Sequence, residues 1–305
     1  MGAVHTDLEK FLFPYGLVHD SSITKAELFQ TLRKIWGDGT DPRQVIQSMD
    51  NFTDTFFVLQ TGDLADSIPE DLGKALRDLH DMGAPSSVFP FFLKLVDAVN
   101  ADEVAEEMAT ESARLVESFL FRRAISGFEP TGLHAVFKGL WGEASEHGFS
   151  VEMVKTAISR RSTVPWPNDT EFEKAVLEGS LYGKRVAKYA RRQFELSADG
   201  ESPIDDFQIE HILPVKPGPD WVIKDEEEAA SLKHSWGNLI PLTSSMNPAL
   251  SNSGFDAKAA EYRGSIFASA RSIATDHTNW STDSIRRRSK LIAAWAKTRW
   301  PHSRA

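Results

Sequence analysis

A Glu-His pair closes an apolar run at Phe207-Gln208-Ile209-Glu210-His211-Ile212-Leu213-Pro214. After an intervening segment come Gly237-Asn238-Leu239-Ile240-Pro241-Leu242 and then Asn247. These residue types suit hydrolysis of a phosphodiester. That reaction needs an in-line nucleophile, neutralisation of the phosphoryl charge and stabilisation of the leaving 3′ oxygen. A histidine whose pKa lies near neutrality can take the proton from water. A hard divalent cation, held by few protein oxygens and several waters, can serve the charge and the leaving group. The Glu210 carboxylate and an asparagine side-chain carbonyl are suitable donors to such a cation.

Those residues need elements to position them. Phe207 to Leu213 reads as one strand and Asn238 to Leu242 as a second. Neighbours on a strand point to opposite faces. Glu210 and His211 therefore converge on one atom only through a local twist or bulge, which a hairpin packed on a helix would supply. The interval Lys216 to Trp236 is an insertion with no legible purpose; Trp221 within it is the tryptophan to check for exposure. Asp225-Glu226-Glu227-Glu228 opens a short acidic helix, and two further helices are expected around 254–276 and 281–300.

Upstream, residues 1 to about 196 read as helices. Leu28, Leu32 and Ile35 recur at helical spacing, as do Leu72, Leu76 and Leu79. Asp41-Pro42 supplies an N-cap with proline at the first helical position. Phe89 to Asn100 is apolar enough to be a central helix. Acidic residues crowd the start of the stretch from Val104 to Ile125, and Arg122-Arg123 sit near its end, which suits the helix dipole. Pro165 to Asp169 forms a turn that caps the next helix. Polar turn-formers cluster at Ser197 to Pro203, so the expected division is 1–196 and 197–305.

Composition fits an ordinary globular chain of 305 residues, 41% hydrophobic and 26% charged. No run approaches the length needed to span a bilayer, so no membrane role is expected. There is no cysteine, which excludes disulfides, a catalytic thiol and cysteine-based zinc sites. The net charge is -10, but its distribution is uneven. From Lys258 onward the chain carries a net +7 and the remainder -17. A basic tail on an acidic body can hold phosphate; a solvated helix face is the plainer reading of the charge alone. The other histidines show no ligand spacing, although His234 stands close to Asn238 and is a reserve candidate.

The segment 207–300 resembles the C-terminal nuclease domain of GmrSD-type modification-dependent restriction proteins, an HNH (His-Me finger) variant. The likeness is carried by Glu210-His211-Ile212-Leu213-Pro214, Gly237-Asn238-Leu239, Asn247, Asn252, Phe255 and Lys258, and further on by Trp280, Ile285, Arg286 and Trp295. Phe119 to Ile125 and Pro167 to Phe172 loosely resemble the helical region that precedes such nucleases. The resemblance implies a mainly α protein: a helical N-terminal domain with a regulatory or linking role, then a small α+β domain of the ββα-metal kind. It implies His211 as general base, with Asn238 orienting its imidazole through a side-chain or backbone carbonyl. Asn247 would bind Mg²⁺ with Glu210, and Mn²⁺ would substitute, because the third motif position is Asn and not His. Lys258, Arg263 and Arg286 would meet DNA, and Asn252 would support the loop. The implied activity is DNA nicking or cleavage in prokaryotic antiphage restriction, in the cytoplasm. An N-terminal NTPase or sensor domain or subunit is expected as partner, with this chain a C-terminal fragment or one subunit of a split system. The rival reading is a catalytically weak DNA-binding or interaction module.

Overall fold

A computed structural model describes residues 2–37, 39–199, 207–246, 250 and 252–302. Among the described residues the protein is mainly helical, with one small two-stranded sheet. It divides into two compact units. The first comprises residues up to Leu120 together with Glu129–Trp166, and the second Phe121–Phe128 with Pro167–His302.

The first unit holds α1 (Gly2–His19), α2 (Leu28–Trp36), α3 (Pro42–Asp50), α4 (Thr53–Thr61), α5 (Glu70–Met82), α6 (Phe89–Asn100), most of α7 (Glu106–Ile125), α8 (Leu133–Ser145) and α9 (Val151–Ser159). Local signals explain several boundaries. Asp41 caps α3 by accepting from the Arg43 N–H at 2.9 Å, with Pro42 in the first turn. α5 ends at Gly83 in the left-handed region, with φ 79°. α6 is central as expected: Phe91, Phe92, Leu93 and Leu95 are all fully buried.

The second unit runs through the last turn of α7, α10 (Asp169–Glu178), α11 (Ala187–Asp199), β1 (Gln208–His211), α12 (Glu226–Leu232), β2 (Leu239–Leu242), α13 (Phe255–Tyr262), α14 (Ala268–Asp276) and α15 (Thr282–Arg299). β1 and β2 pair antiparallel, with Gln208 opposite Leu242, Glu210 opposite Ile240 and His211 opposite Leu239. β2 is buried along its whole length, which is why it reads as an unbroken apolar run and not an alternating one. Around the sheet, Ile212, Leu213, Ile240, Leu242, Phe255, Phe267, Trp280 and Ile285 form one hydrophobic cluster.

Two differences from expectation have physical causes. The single helix expected over 254–276 is two, α13 and α14, parted at Gly264-Ser265. There the Ser265 hydroxyl accepts from the Phe267 N–H at 3.2 Å, and Arg271 donates to the Ser265 and Ile266 carbonyls. The division at 196/197 drawn from turn-formers differs from that of the compact units, because α10, α11 and the end of α7 are fastened to α15. Phe121 stacks on Trp300 with centroids 3.6 Å apart. The buried Arg122 donates to the Trp300 carbonyl at 2.6 Å and the Pro167 carbonyl at 3.1 Å, and pairs with Asp169 at 2.7 Å. Asp169 opens α10 behind a capping box in which Glu171 N–H donates to the Asn168 side chain at 3.0 Å.

Arg122→Met should therefore cost about 3 kcal/mol, since two carbonyls lose a charged donor and each unpaired buried acceptor costs ~1–3 kcal/mol. Urea unfolding checks this; an unchanged midpoint would mean that these bonds do not hold the unit together.

Candidate functional site at the end of the strand pair

The site begins with Asn238, which is fully buried. Its Oδ1 accepts from the Leu213 N–H at 2.8 Å and from the Trp280 indole at 3.0 Å. Its Nδ2 donates to the Leu213 carbonyl at 2.9 Å and the Lys233 carbonyl at 2.8 Å. Every bond an asparagine side chain can make is thus used. The backbone carbonyl of Asn238 accepts from the Ile212 N–H at 2.9 Å. Asn238 therefore grips the chain just past His211, and its side chain makes no bond to the imidazole it was expected to orient. Gly237 is needed for close approach: a Cβ there would run into the Ile285 carbonyl and Ser289 of α15. The buried Arg288 of that helix donates to the carbonyls of Gly237 and Leu239, both at 2.9 Å.

With the chain pinned, Glu210 and His211 face opposite ways, as strand geometry requires. Glu210 points into the unit. Lys258 of α13 donates to its Oε1 and also to the His211 carbonyl at 2.8 Å, and the Tyr262 hydroxyl donates to Oε1 at 3.3 Å. The Lys258 side chain is 0% exposed and that of Glu210 7%. Burial pushes the carboxyl up and the ammonium down, against the attraction of the pair.

His211 faces a cluster of rings. Its Nε2 lies 2.9 Å from Nδ1 of His234, so one imidazole donates and the other accepts. The Tyr182 ring lies 4.5 Å from the His211 ring and 5.4 Å from that of His234. Burial, then the charges of His234, Arg191, Lys258 and Lys233, push the His211 pKa down to about 4. The ring is then neutral at pH 7, but as a base it is weaker than a free imidazole. A bound anion would offset the positive surroundings and strengthen it as a base.

The other expected contacts are placed as follows. Asn247 lies outside the described residues. Asn252 is exposed, and its backbone carbonyl accepts from the Gly218 N–H at 3.3 Å. Trp221 is partly buried and donates from its indole to the Ser253 carbonyl at 2.9 Å. The 216–236 insertion is thereby tied to the loop that precedes α13. Arg263 is exposed. Arg286 is half-exposed and donates to Glu228 at 2.7 Å. Lys258, expected at a phosphate, is instead wholly inside. Much of the basic tail is spent likewise: Arg288 on carbonyls and Lys297 on Glu173.

Tyr182 and Arg191 were not read as site residues from the sequence. The first stands in an unpatterned turn, and the second shares α11 with several other cations, so neither leaves a local signal.

The donor set suits a hard cation in kind, since a carboxylate and an amide carbonyl are oxygen ligands. Glu210, however, already faces an ammonium. Among the described residues, no group of three or more His, Asp or Glu side chains could hold a metal ion.

Comparison with known families agrees with the motif. Residues 166–295 match the family model described as the C-terminal domain of GmrSD restriction endonucleases. This stretch is therefore a GmrSD-type C-terminal region, and it begins next to Pro167, where the main segment of the second unit starts. No curated protein matches the chain.

The ion pair inside the site makes a clear forecast. Lys258→Met should destabilise the protein by about 3–5 kcal/mol, because it strands a buried carboxylate. Adding Glu210→Gln should return most of that loss. A double-mutant cycle by urea unfolding measures the coupling, and strictly additive effects would rule out the pair as described.

Proposed function

We propose that the protein is a metal-dependent DNA endonuclease of the HNH type, nicking or cleaving phosphodiesters, with His211 as general base. The observation that carries this reading is the match of residues 166–295 to the C-terminal domain of restriction endonucleases, combined with a strand end that carries the Glu210-His211 pair of the motif. In this reading β1, β2 and α13 are the elements of a ββα-metal site. His211 takes the proton from the attacking water, and His234 holds the His211 ring through the bond between their nitrogens. Asn238 keeps the strand end in register with Leu213. Glu210 and Asn247 would hold Mg²⁺, or Mn²⁺ in its place, and the cation would supply neutralisation of the phosphoryl charge and of the leaving 3′ oxygen. Arg263 and Arg286 would meet the DNA backbone, as exposed or half-exposed cations can. The biological setting is antiphage restriction of modified DNA in the cytoplasm, with an NTPase or sensor domain or subunit as partner.

One observation favours the rival class. Lys258 sits against the carboxylate that the metal would need, as it would in a DNA-binding module whose metal site has lapsed.

A supercoiled-plasmid assay separates the two. The endonuclease nicks with Mg²⁺ or Mn²⁺, stops with EDTA, and loses about 10²–10⁴-fold in His211→Ala, the usual share of a general base. Cutting by His211→Ala at the wild-type rate would refute the assignment. Salt-sensitive binding without any metal-dependent cutting would select the binding module.

A further inference from the structure

Tyr182 stands at the His211 site without belonging to the motif that marks it. It comes from Ser180-Leu181-Tyr182-Gly183, between α10 and α11, and Gly183 turns the chain directly after it with φ 82°. Backbone contacts fix its place. The N–H groups of Leu181 and Tyr182 donate to the His234 carbonyl at 2.8 and 3.3 Å, and Ser180 forms a β-bridge with Ser235. The phenol ring is then nearly parallel to the His234 ring, at 20°, and tilted over that of His211. The residue is nonetheless 47% exposed. An aromatic ring held by its backbone and half open to solvent has a face to offer.

The surroundings favour a ligand with negative charge. Arg191 of α11 is buried; its Nη1 donates to the Ala187 carbonyl, while its Nε and Nη2 have no partner among the described residues. Arg288 is a second buried guanidinium near it, and the charge of Arg191 reaches both Tyr182 and His211. The guanidinium is enclosed, so a ligand beside Tyr182 would feel its charge without bonding to it. A neutral aromatic ligand would use the ring but not the charge. A nucleotide uses both.

We propose that Tyr182 is a substrate-contacting residue of the His211 site, its ring stacking on the base next to the phosphate presented to His211. This rests on the nuclease reading above. The test measures binding in a His211→Ala background, with two labelled oligomers of equal length: oligothymidylate, and an abasic sugar–phosphate chain of the same charge. Tyr182→Ala should weaken oligothymidylate binding roughly tenfold, in line with the loss of one stacked base, and leave the abasic chain unaffected. Tyr182→Phe, which keeps the ring, should recover most of the loss. In the plasmid assay with His211 intact, Tyr182→Ala should raise KM and spare kcat. Equal weakening of both oligomers, unaltered affinity, or no binding of either would overturn the proposal. Base-dependent binding through Tyr182 in a chain that cuts nothing would sink the nuclease reading alone. Cutting with wild-type KM in Tyr182→Ala would sink the role of Tyr182 alone.

Discussion

The site depends on one buried side chain. Asn238 makes four hydrogen bonds, to both backbone groups of Leu213, to the Lys233 carbonyl and to the Trp280 indole. Each partner belongs to a different piece: the exit of β1, the end of α12 and the approach to α15. An apolar residue would leave two N–H groups and two carbonyls without these bonds, at ~1–3 kcal/mol apiece. The same residue closes the sheet through its own carbonyl. The register of the strand pair, and so the direction in which Glu210 and His211 look, follows from that grip.

Splitting the pair gives the two neighbours different surroundings. Glu210 turns toward α13, where Lys258 and Tyr262 complete a buried polar knot. His211 turns toward His234 and Tyr182, with positive charge around it and only burial and like charges acting on its ring. The carbonyl of His211 joins the two sides, because Lys258 binds it as well as Glu210. Lys258 thus serves as an internal strut at the strand end. Part of the cationic excess of the C-terminal segment goes to packing, through the buried Lys258 and Arg288.

The motif was legible in the sequence because its spacing reflects local constraints. An apolar strand ending in Glu-His, and a Gly-Asn at the start of a second strand, correspond to close helix packing at Gly237 and the four-bond grip of Asn238. The central helix Phe89–Asn100 and the capped helices were legible for similar local reasons. What escaped depends on contacts far apart in the chain. Lys258 reads as a surface cation until Glu210 is seen to face it. Tyr182 has no pattern around it, and only the pairing of Ser180 with Ser235 brings it to the histidines. The unit boundary escaped because Arg122 reaches carbonyls at Pro167 and Trp300, which no count of turn-formers can register. The break between α13 and α14 escaped because the Ser265 hydroxyl and Arg271 contacts that cap it leave no mark on the apolar periodicity.

Asn238 holds the strand end so that His211 meets His234. Nitrogen NMR of the histidine-labelled chain tests it directly. In the intact protein, coupling across the hydrogen bond should link His211 Nε2 to His234 Nδ1. In Asn238→Ala that coupling should vanish while the signals of histidines that belong to the first unit, such as His80, stay in place. Persistence of the coupling in Asn238→Ala, or its absence from the intact chain, would mean that Asn238 does not bring the two histidines together.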